Sequence, residues 1–95
     1  MKYVIKANVR LYPGMAGWHF VSVDKKVSEK IRKSRVGTKR NGWGSVPVTA
    51  TMRKTRWKTS IFPDKGGTYL LPLKADIRKR EDVGEGDLVR ITLVL

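Results

Sequence analysis

The chain contains no cysteine, few acidic residues and no long apolar segment. The absence of cysteine excludes disulfide bonds, zinc sites built on thiolates and thiol chemistry. No apolar run approaches the roughly 20 residues that a membrane-spanning helix requires. Lysines interrupt the apolar start of the chain, residues 1–6, so this start lacks the apolar core of a signal peptide. We therefore expect a soluble, cytoplasmic protein that does not contact membranes.

Basic residues outnumber acidic residues by a wide margin. The sequence has 21 lysine and arginine residues but only 8 aspartate and glutamate residues, which gives a net charge of +13 over 95 residues. A chain of this length is expected to form one domain, residues 1–95, around a single modest core. A large positive charge attracts polyanions, so DNA or RNA is the first partner class that the composition indicates.

Alternation of apolar and polar side chains predicts that most of the chain forms β-strands. The pattern is clearest at the end of the chain, where Val89, Ile91 and Leu93 alternate with Arg90 and Thr92. The predicted strands span residues 3–11, 18–23, 46–52, 56–62, 68–73 and 88–95. Glycine, proline and aspartate separate several of them, as is typical of turns.

Two short helices are expected between these strands. Asp24 is a favoured N-cap residue, and Val27 and Ile31 are spaced to pack on a sheet while the lysines around them face solvent. A second short basic helix is predicted around Ile77. Each half of the chain then contains a strand, a short helix, a loop and a strand. This predicts a mostly β protein, a small closed barrel of about six strands and two short helices with a pseudo-twofold axis.

Several segments match a known family when they are taken together. They are residues 42–48, 57–64, 69–75, 77–79 and 86–89, with residues 18–21 and Ile31 in the first half. In these segments the chain resembles the uncharacterised family called domain of unknown function nineteen-oh-five (DUF1905), and the resemblance covers nearly the whole chain. Two positions depart from the family pattern: Asp24 stands where proline is common, and Arg53-Lys54 replaces a more neutral hairpin tip.

This resemblance implies a β-barrel of the double-split type. The implied architecture is related to that of AbrB-like transcription-factor and antitoxin domains, and the segment from Pro72 to Leu95 loosely resembles the AbrB-type pattern. Those relatives are DNA-binding dimers, an analogy at the level of the fold. Members of the family often lie beside a YdeI or OmpD-associated segment. The sequence leaves open whether the protein is a monomer or a dimer.

Groups suited to catalysis or metal binding are sparse. His19 is the only histidine, and a lone histidine in a strand is more often a packed or surface residue than a ligand. Five carboxylates lie near the last strand without the spacing of a calcium loop: Asp76, Glu81, Asp82, Glu85 and Asp87. Basic neighbours favour a solvated surface network there. We predict no catalytic residue, no metal site, no cofactor and no enzymatic activity.

Two basic segments form the predicted nucleic-acid-binding site, residues 25–40 and 53–58. If both lie on one side of the barrel, they form a continuous positive surface that contacts phosphates without sequence preference. The predicted contact residues are Lys25, Lys26, Lys30, Arg32, Lys33, Arg35, Lys39, Arg40, Arg53, Lys54, Arg56 and Lys58.

Two tryptophans, Trp43 just after the first segment and Trp57 within the second, have two interpretations each. Trp43 lies between glycines and either packs under its loop or is an exposed ring that stacks on bases. Trp57 could stack in the same way, but its alternation with Thr59 and Ile61 favours a position in the core. The alternative function is a non-catalytic module that binds an acidic protein partner or a small anion. A steep salt dependence of binding would favour nucleic acid over such a module.

Overall fold

A computed structural model describes residues 1–12, 14, 17–34 and 44–95 of the chain. Its strands are β1 (Lys2–Asn8), β2 (Arg10–Leu11), β3 (His19–Val23), β4 (Val46–Met52), β5 (Thr55–Pro63), β6 (Tyr69–Leu73) and β7 (Leu88–Val94). The helices are α1 (Lys25–Ser34) and α2 (Ala75–Glu81). The mostly β class and the two short helices are confirmed.

The strands form one antiparallel sheet that nearly closes on itself. Their order is β1-β7-β4-β5-β6-β3-β2. Because β1 and β2 are consecutive stretches of chain, the two ends of this order meet, which gives the predicted barrel. Closure leaves few unpaired strand edges, and such edges are where sheets otherwise associate with other chains.

The first predicted strand, residues 3–11, is two strands in the structure. β1 pairs with β7, whereas β2 pairs with β3 on the other side of the closure. Val9 separates them: its N–H donates to the carbonyl of Asp87 at 2.9 Å, and its carbonyl accepts from the N–H of Gly86 at 2.8 Å. A long strand in a small barrel must bend to change partners, and this bend accounts for seven strands instead of about six.

Side chains that point into the barrel form the core, as the alternation predicts. On β7, Val89 is 5% exposed while Ile91 and Leu93 are fully buried. Trp57 is 9% exposed and packs in the same cluster, which confirms the core interpretation. The other buried members are Ile5, Val9, Val21, Val23, Ile31, Val46, Val48, Ala50, Met52, Ile61, Tyr69, Leu71, Leu73 and Ile77.

The strand register supports the predicted pseudo-twofold axis. β3 and β6 precede the two helices and are antiparallel neighbours, with Val21 opposite Leu71 at the midpoint. β4 and β7 are also antiparallel neighbours, with Ala50 opposite Leu93. Equivalent antiparallel strands are related by a twofold axis that passes between them. The axis therefore crosses the barrel through these two strand pairs.

The two helices lie at opposite ends of the barrel. Ser28 of α1 contacts Tyr69, which pairs with Pro63 at the end of β5. Glu81 of α2 accepts a hydrogen bond from Thr55 at the start of β5. Since each strand residue advances the chain by about 3.3 Å, the two contacts are roughly 26 Å apart along β5. The basic side chains of the two helices are separated accordingly.

Candidate functional site

Helix α1 presents most of the first predicted basic segment to solvent. Ile31 and Ser28 are buried, and Val27 packs against the core. The helix begins after Asp24, whose side chain accepts from the N–H of Val27 at 3.4 Å, which confirms the predicted N-cap. Arg32 also donates to the carbonyl of Gly67. The exposed basic residues of this helix are Lys25, Lys26, Lys30, Arg32 and Lys33.

Arg53 and Lys54 lie at the other end of the barrel from α1. They form the tip of the β4–β5 hairpin, where Arg53 has a φ of 55° and lies against α2. Its guanidinium is 3.8 Å from a carboxylate oxygen of Glu81. The structure therefore does not join this tip to the α1 surface. Arg35, Lys39, Arg40 and Trp43 fall outside the described residues.

Arg56 and Lys58 belong to a different surface, the outer face of β5. The register places Arg56 beside Thr51 and Lys58 beside Thr49 on β4. Since β4 pairs with β7 and β7 pairs with β1, the same outer face continues across four strands. We call the outward side chains of β1, β7, β4 and β5 the basic sheet face. Apart from Arg56 and Lys58, its basic residues are Lys2, Lys6 and Arg90, all exposed.

Lys2, Lys6 and Arg90 were absent from the predicted site. Alternation assigns each of them to the outward side of its strand, but alternation does not say which strands are neighbours. The pairing of β1 with β7 places Lys6 directly opposite Arg90 and Lys2 opposite Val94. This pairing joins the two ends of the chain, so no local signal identifies it.

The basic sheet face carries no acidic side chain. Its uncharged outward side chains are Val4, Asn8, Pro47, Thr49, Thr51, Ser60, Phe62, Leu88, Thr92 and Val94. All eight acidic residues of the chain lie instead in helices, turns and the caps beside them. Within the part of the chain that the structure describes, the pair of Arg53 with Glu81 is the one salt bridge. The positive charges of the basic sheet face are thus not neutralised from within.

A shallow depression of about 470 Å³ lies on the basic sheet face. It follows the register across the four strands: Lys2 is opposite Val94, Val94 is opposite Thr49, and Thr51 stands between Thr92 and Arg56. The lining residues are Lys2, Thr49, Thr51, Arg56, Thr92 and Val94. Three threonines and Val94 lie between one positive side chain at each side, Lys2 and Arg56.

The five carboxylates singled out by sequence do not converge. Glu81 is buried, and one of its oxygens accepts a hydrogen bond from the Thr55 hydroxyl at 2.5 Å. Asp87 accepts from the N–H of Gly84 at 2.8 Å and closes the turn before β7. Among residues 1–12, 14, 17–34 and 44–95, no three acidic or histidine side chains are placed to share a metal ion.

His19 occupies a partly buried position at the α2 end of β3. Its Nδ1 lies 2.8 Å from the carbonyl oxygen of Gly17, and its Nε2 lies 3.5 Å from a guanidinium nitrogen of Arg78. Gly17 lies in the turn before β3 and Arg78 lies on α2, so the ring contacts neighbouring elements of the protein. The geometry supports the packed or surface role that the sequence favoured.

Comparison with protein families gives one match that covers most of the chain. The model of the family described as Domain of unknown function (DUF1905) matches residues 6–93. The chain belongs to this family. No curated protein matched the sequence. In the described residues of this DUF1905 member, neither helix has the length and apolar character needed to cross a membrane.

Proposed function

We propose that this DUF1905 protein binds nucleic acid through the phosphate backbone, with the basic sheet face as the principal contact surface. The observation that carries the proposal is the arrangement of five cations and no acidic side chain on one uncovered face of the barrel. Binding of cations to phosphates releases counterions, which gives affinity without sequence preference. The proposed role is binding without catalysis.

The spacing of the charges suits an extended polyanion. Lys2 and Lys6 lie on β1, and Arg56 and Lys58 lie on β5. Because β7 and β4 lie between these two strands, the four side chains form two columns of positive charge, one on each side of β7 and β4. Three strand spacings separate these columns, roughly 14 Å. A phosphate backbone that crosses or follows the strands would remain close to at least one column. Arg90 adds a charge between them, beside Lys6.

The floor between the columns contacts backbone and not bases. The depression has threonine hydroxyls and Val94 but no aromatic ring among its lining residues. Stacking on aromatic side chains is the usual source of preference for single strands. The aromatic side chain of the basic sheet face, Phe62, is exposed but lies outside the depression, so we expect single-stranded nucleic acid to bind no more than a few-fold more tightly than duplex.

The α1 surface is a suitable internal comparison. It also exposes five basic residues, but Glu29 lies among them, and the surface caps one end of the barrel. One short helix offers its cations along a single element, whereas the basic sheet face spreads two columns of cations over four strands. It adds to the long-range field that steers a polyanion to the protein.

Two charge-matched variants test this proposal by fluorescence anisotropy over a range of salt concentrations. One replaces Lys6, Lys58 and Arg90 by glutamine, and the other replaces Lys25, Lys30 and Lys33. Each lost phosphate contact should lower the slope of log K against log salt by about 0.9. We expect the first variant to lose about two to three units of slope, and the second to change little.

Equal losses in both variants would mean that net charge alone controls binding, which contradicts a defined surface. Weak salt dependence in the unmodified protein would instead favour the alternative module, which binds an acidic protein or a small anion. Circular dichroism of all three proteins checks that the substitutions leave the barrel folded.

A further inference from the structure

We propose that the depression on the basic sheet face is a binding site for a diphosphoryl group, two phosphoryl units joined by a bridging oxygen. The ligand class is a condensed phosphate or a nucleoside diphosphate, both of which present this group. This site goes beyond nucleic-acid binding and does not require it.

The depression lies on the pseudo-twofold axis. This axis passes between β4 and β7, where buried Ala50 and Leu93 face each other beneath the floor. On one side, Thr51 of β4 is next to Arg56 of β5. On the other side, Val94 of β7 is next to Lys2 of β1. The axis relates these two pairs, so the site has a cation in equivalent positions on both sides of a central floor.

A diphosphoryl group has matching symmetry and charge. Its two phosphoryl units are themselves related by a twofold axis through the bridging oxygen, so each unit faces one cation. Lys2 and Arg56 arise from strands roughly 14 Å apart, and both side chains line the same depression. A diphosphoryl group offers each cation its own phosphoryl unit, whereas orthophosphate makes the two cations share one set of oxygens.

The remaining lining residues complete this chemistry. Thr49, Thr51 and Thr92 line the depression with side chains that can each donate a hydrogen bond, and none of the lining residues is acidic. Arginine forms paired hydrogen bonds to phosphoryl oxygens, whereas lysine acts as a compact point charge. The same residues would repel a cation and offer no apolar enclosure to an uncharged ligand. The donor set therefore selects an anion rich in oxygen acceptors.

Calorimetric titration at constant ionic strength tests the site directly. The probes are inorganic pyrophosphate, orthophosphate and adenosine diphosphate, used with the whole chain. We expect pyrophosphate to bind at least about tenfold more tightly than orthophosphate, because two charge-assisted contacts replace one. Tighter binding of adenosine diphosphate than of pyrophosphate would identify a nucleotide as the ligand, and the reverse would identify a condensed phosphate; both support the proposal.

Three variants connect the binding to this depression. The double variant Lys2→Gln/Arg56→Gln should lose about tenfold or more in pyrophosphate affinity. The charge-matched double variant Lys26→Gln/Lys30→Gln on α1 should stay within about twofold. Thr51→Val keeps the shape and the strand preference of the side chain but removes a hydroxyl, and it should weaken binding by several-fold.

Three results would overturn the proposal: equal affinities for pyrophosphate and orthophosphate, equal losses in the two double variants, or unchanged binding by Thr51→Val. The nucleic-acid titrations separate the two proposals. If DNA binding persists with a steep salt slope while pyrophosphate selectivity is absent, the diphosphoryl site is wrong and the backbone-binding surface stands. If pyrophosphate binds selectively but DNA does not bind, the reverse holds.

Discussion

The buried hydroxyl of Ser28 should be a principal determinant of stability in this barrel. It donates to the carbonyl of Val23 at 3.1 Å and accepts from the N–H of Tyr69 at 3.1 Å. The residue has no exposed surface. One side chain of α1 therefore joins the end of β3 to the start of β6, where the helix closes the barrel.

Substitution of Ser28 by alanine leaves two buried backbone groups without this partner. A buried polar group that loses its hydrogen bond costs about 1–3 kcal/mol. The two groups together predict a loss of about 2–4 kcal/mol in the free energy of unfolding, since partial relaxation recovers some of the sum. For a domain of this size, each kcal/mol lowers the Tm by roughly 4–8 °C.

Urea unfolding followed by circular dichroism measures this loss, with Ser34→Ala as the matched control. Among the residues that the structure describes, the Ser34 hydroxyl donates to the carbonyl of Ile31, at 2.7 Å, within its own helix. The control should therefore cost less than about 1 kcal/mol, the typical value of one hydrogen bond. If Ser28→Ala costs no more than Ser34→Ala at an unchanged m-value, the bridge between β3 and β6 does not stabilise the barrel and the reasoning is refuted.

Two further pairs of substitutions test other parts of the barrel by the same unfolding assay. Thr55→Val removes the hydroxyl that donates to the buried carboxyl group of Glu81, and should cost about 1–3 kcal/mol because a buried acceptor loses its partner. Arg53→Ala should cost less than about 1 kcal/mol, since its side chain is 74% exposed; a larger cost for Arg53 than for Thr55 would contradict the assignment. Gly86→Ala should destabilise by about 1–2 kcal/mol because Gly86 has a φ of 91°. Gly84→Ala, with open space around the added Cβ, should be nearly neutral. If Gly86→Ala lowers the free energy of unfolding no more than Gly84→Ala does, the positive φ at Gly86 does not require glycine.

The pseudo-twofold axis explains why two unlike residues perform related tasks. Ser28 on α1 bonds the carbonyl of Val23 at the end of β3. Arg78 occupies the equivalent place on α2, and its Nε donates to the carbonyl of Leu73 at the end of β6, at 3.2 Å. In both halves, a side chain of the helix therefore donates a hydrogen bond to the last carbonyl of the preceding strand. The internal repeat visible in the sequence is retained in the backbone, while the side chains that make this hydrogen bond differ.

Much of the architecture could be predicted from the sequence because alternation and turn chemistry are local. Val89, Ile91 and Leu93 are buried, and Arg90 is exposed, as a half-buried strand requires. The family match over residues 6–93 agrees with the resemblance in the glycine, tryptophan and proline motifs. The sequence did not predict the division of the first strand at Val9. This division occurs because the first part of the segment pairs with β7 and the second part pairs with β3.

The candidate site could be predicted only in part, since it depends on which strands are neighbours. Arg56 and Lys58 were identified from their charge, but the sequence grouped them with Arg53 and Lys54, only a few residues away. The structure places Arg53 against α2 and turns Arg56 outward beside Thr51. Proximity along the chain is a poor guide here because Arg53 lies at the hairpin tip against α2, whereas Arg56 lies within β5 on its outward side.

The sequence alone therefore determined the charge, the strands with their inner and outer faces, and the class of partner that a large positive charge attracts. These properties depend on composition and on a two-residue period, which any reader of the chain can count. The tertiary structure alone decided that Lys2, Lys6 and Arg90 join Arg56 and Lys58 on one face without an acidic side chain. The reason is physical: barrel closure pairs the first strand with the last, and this pairing results from burial of the whole core and not from any local segment.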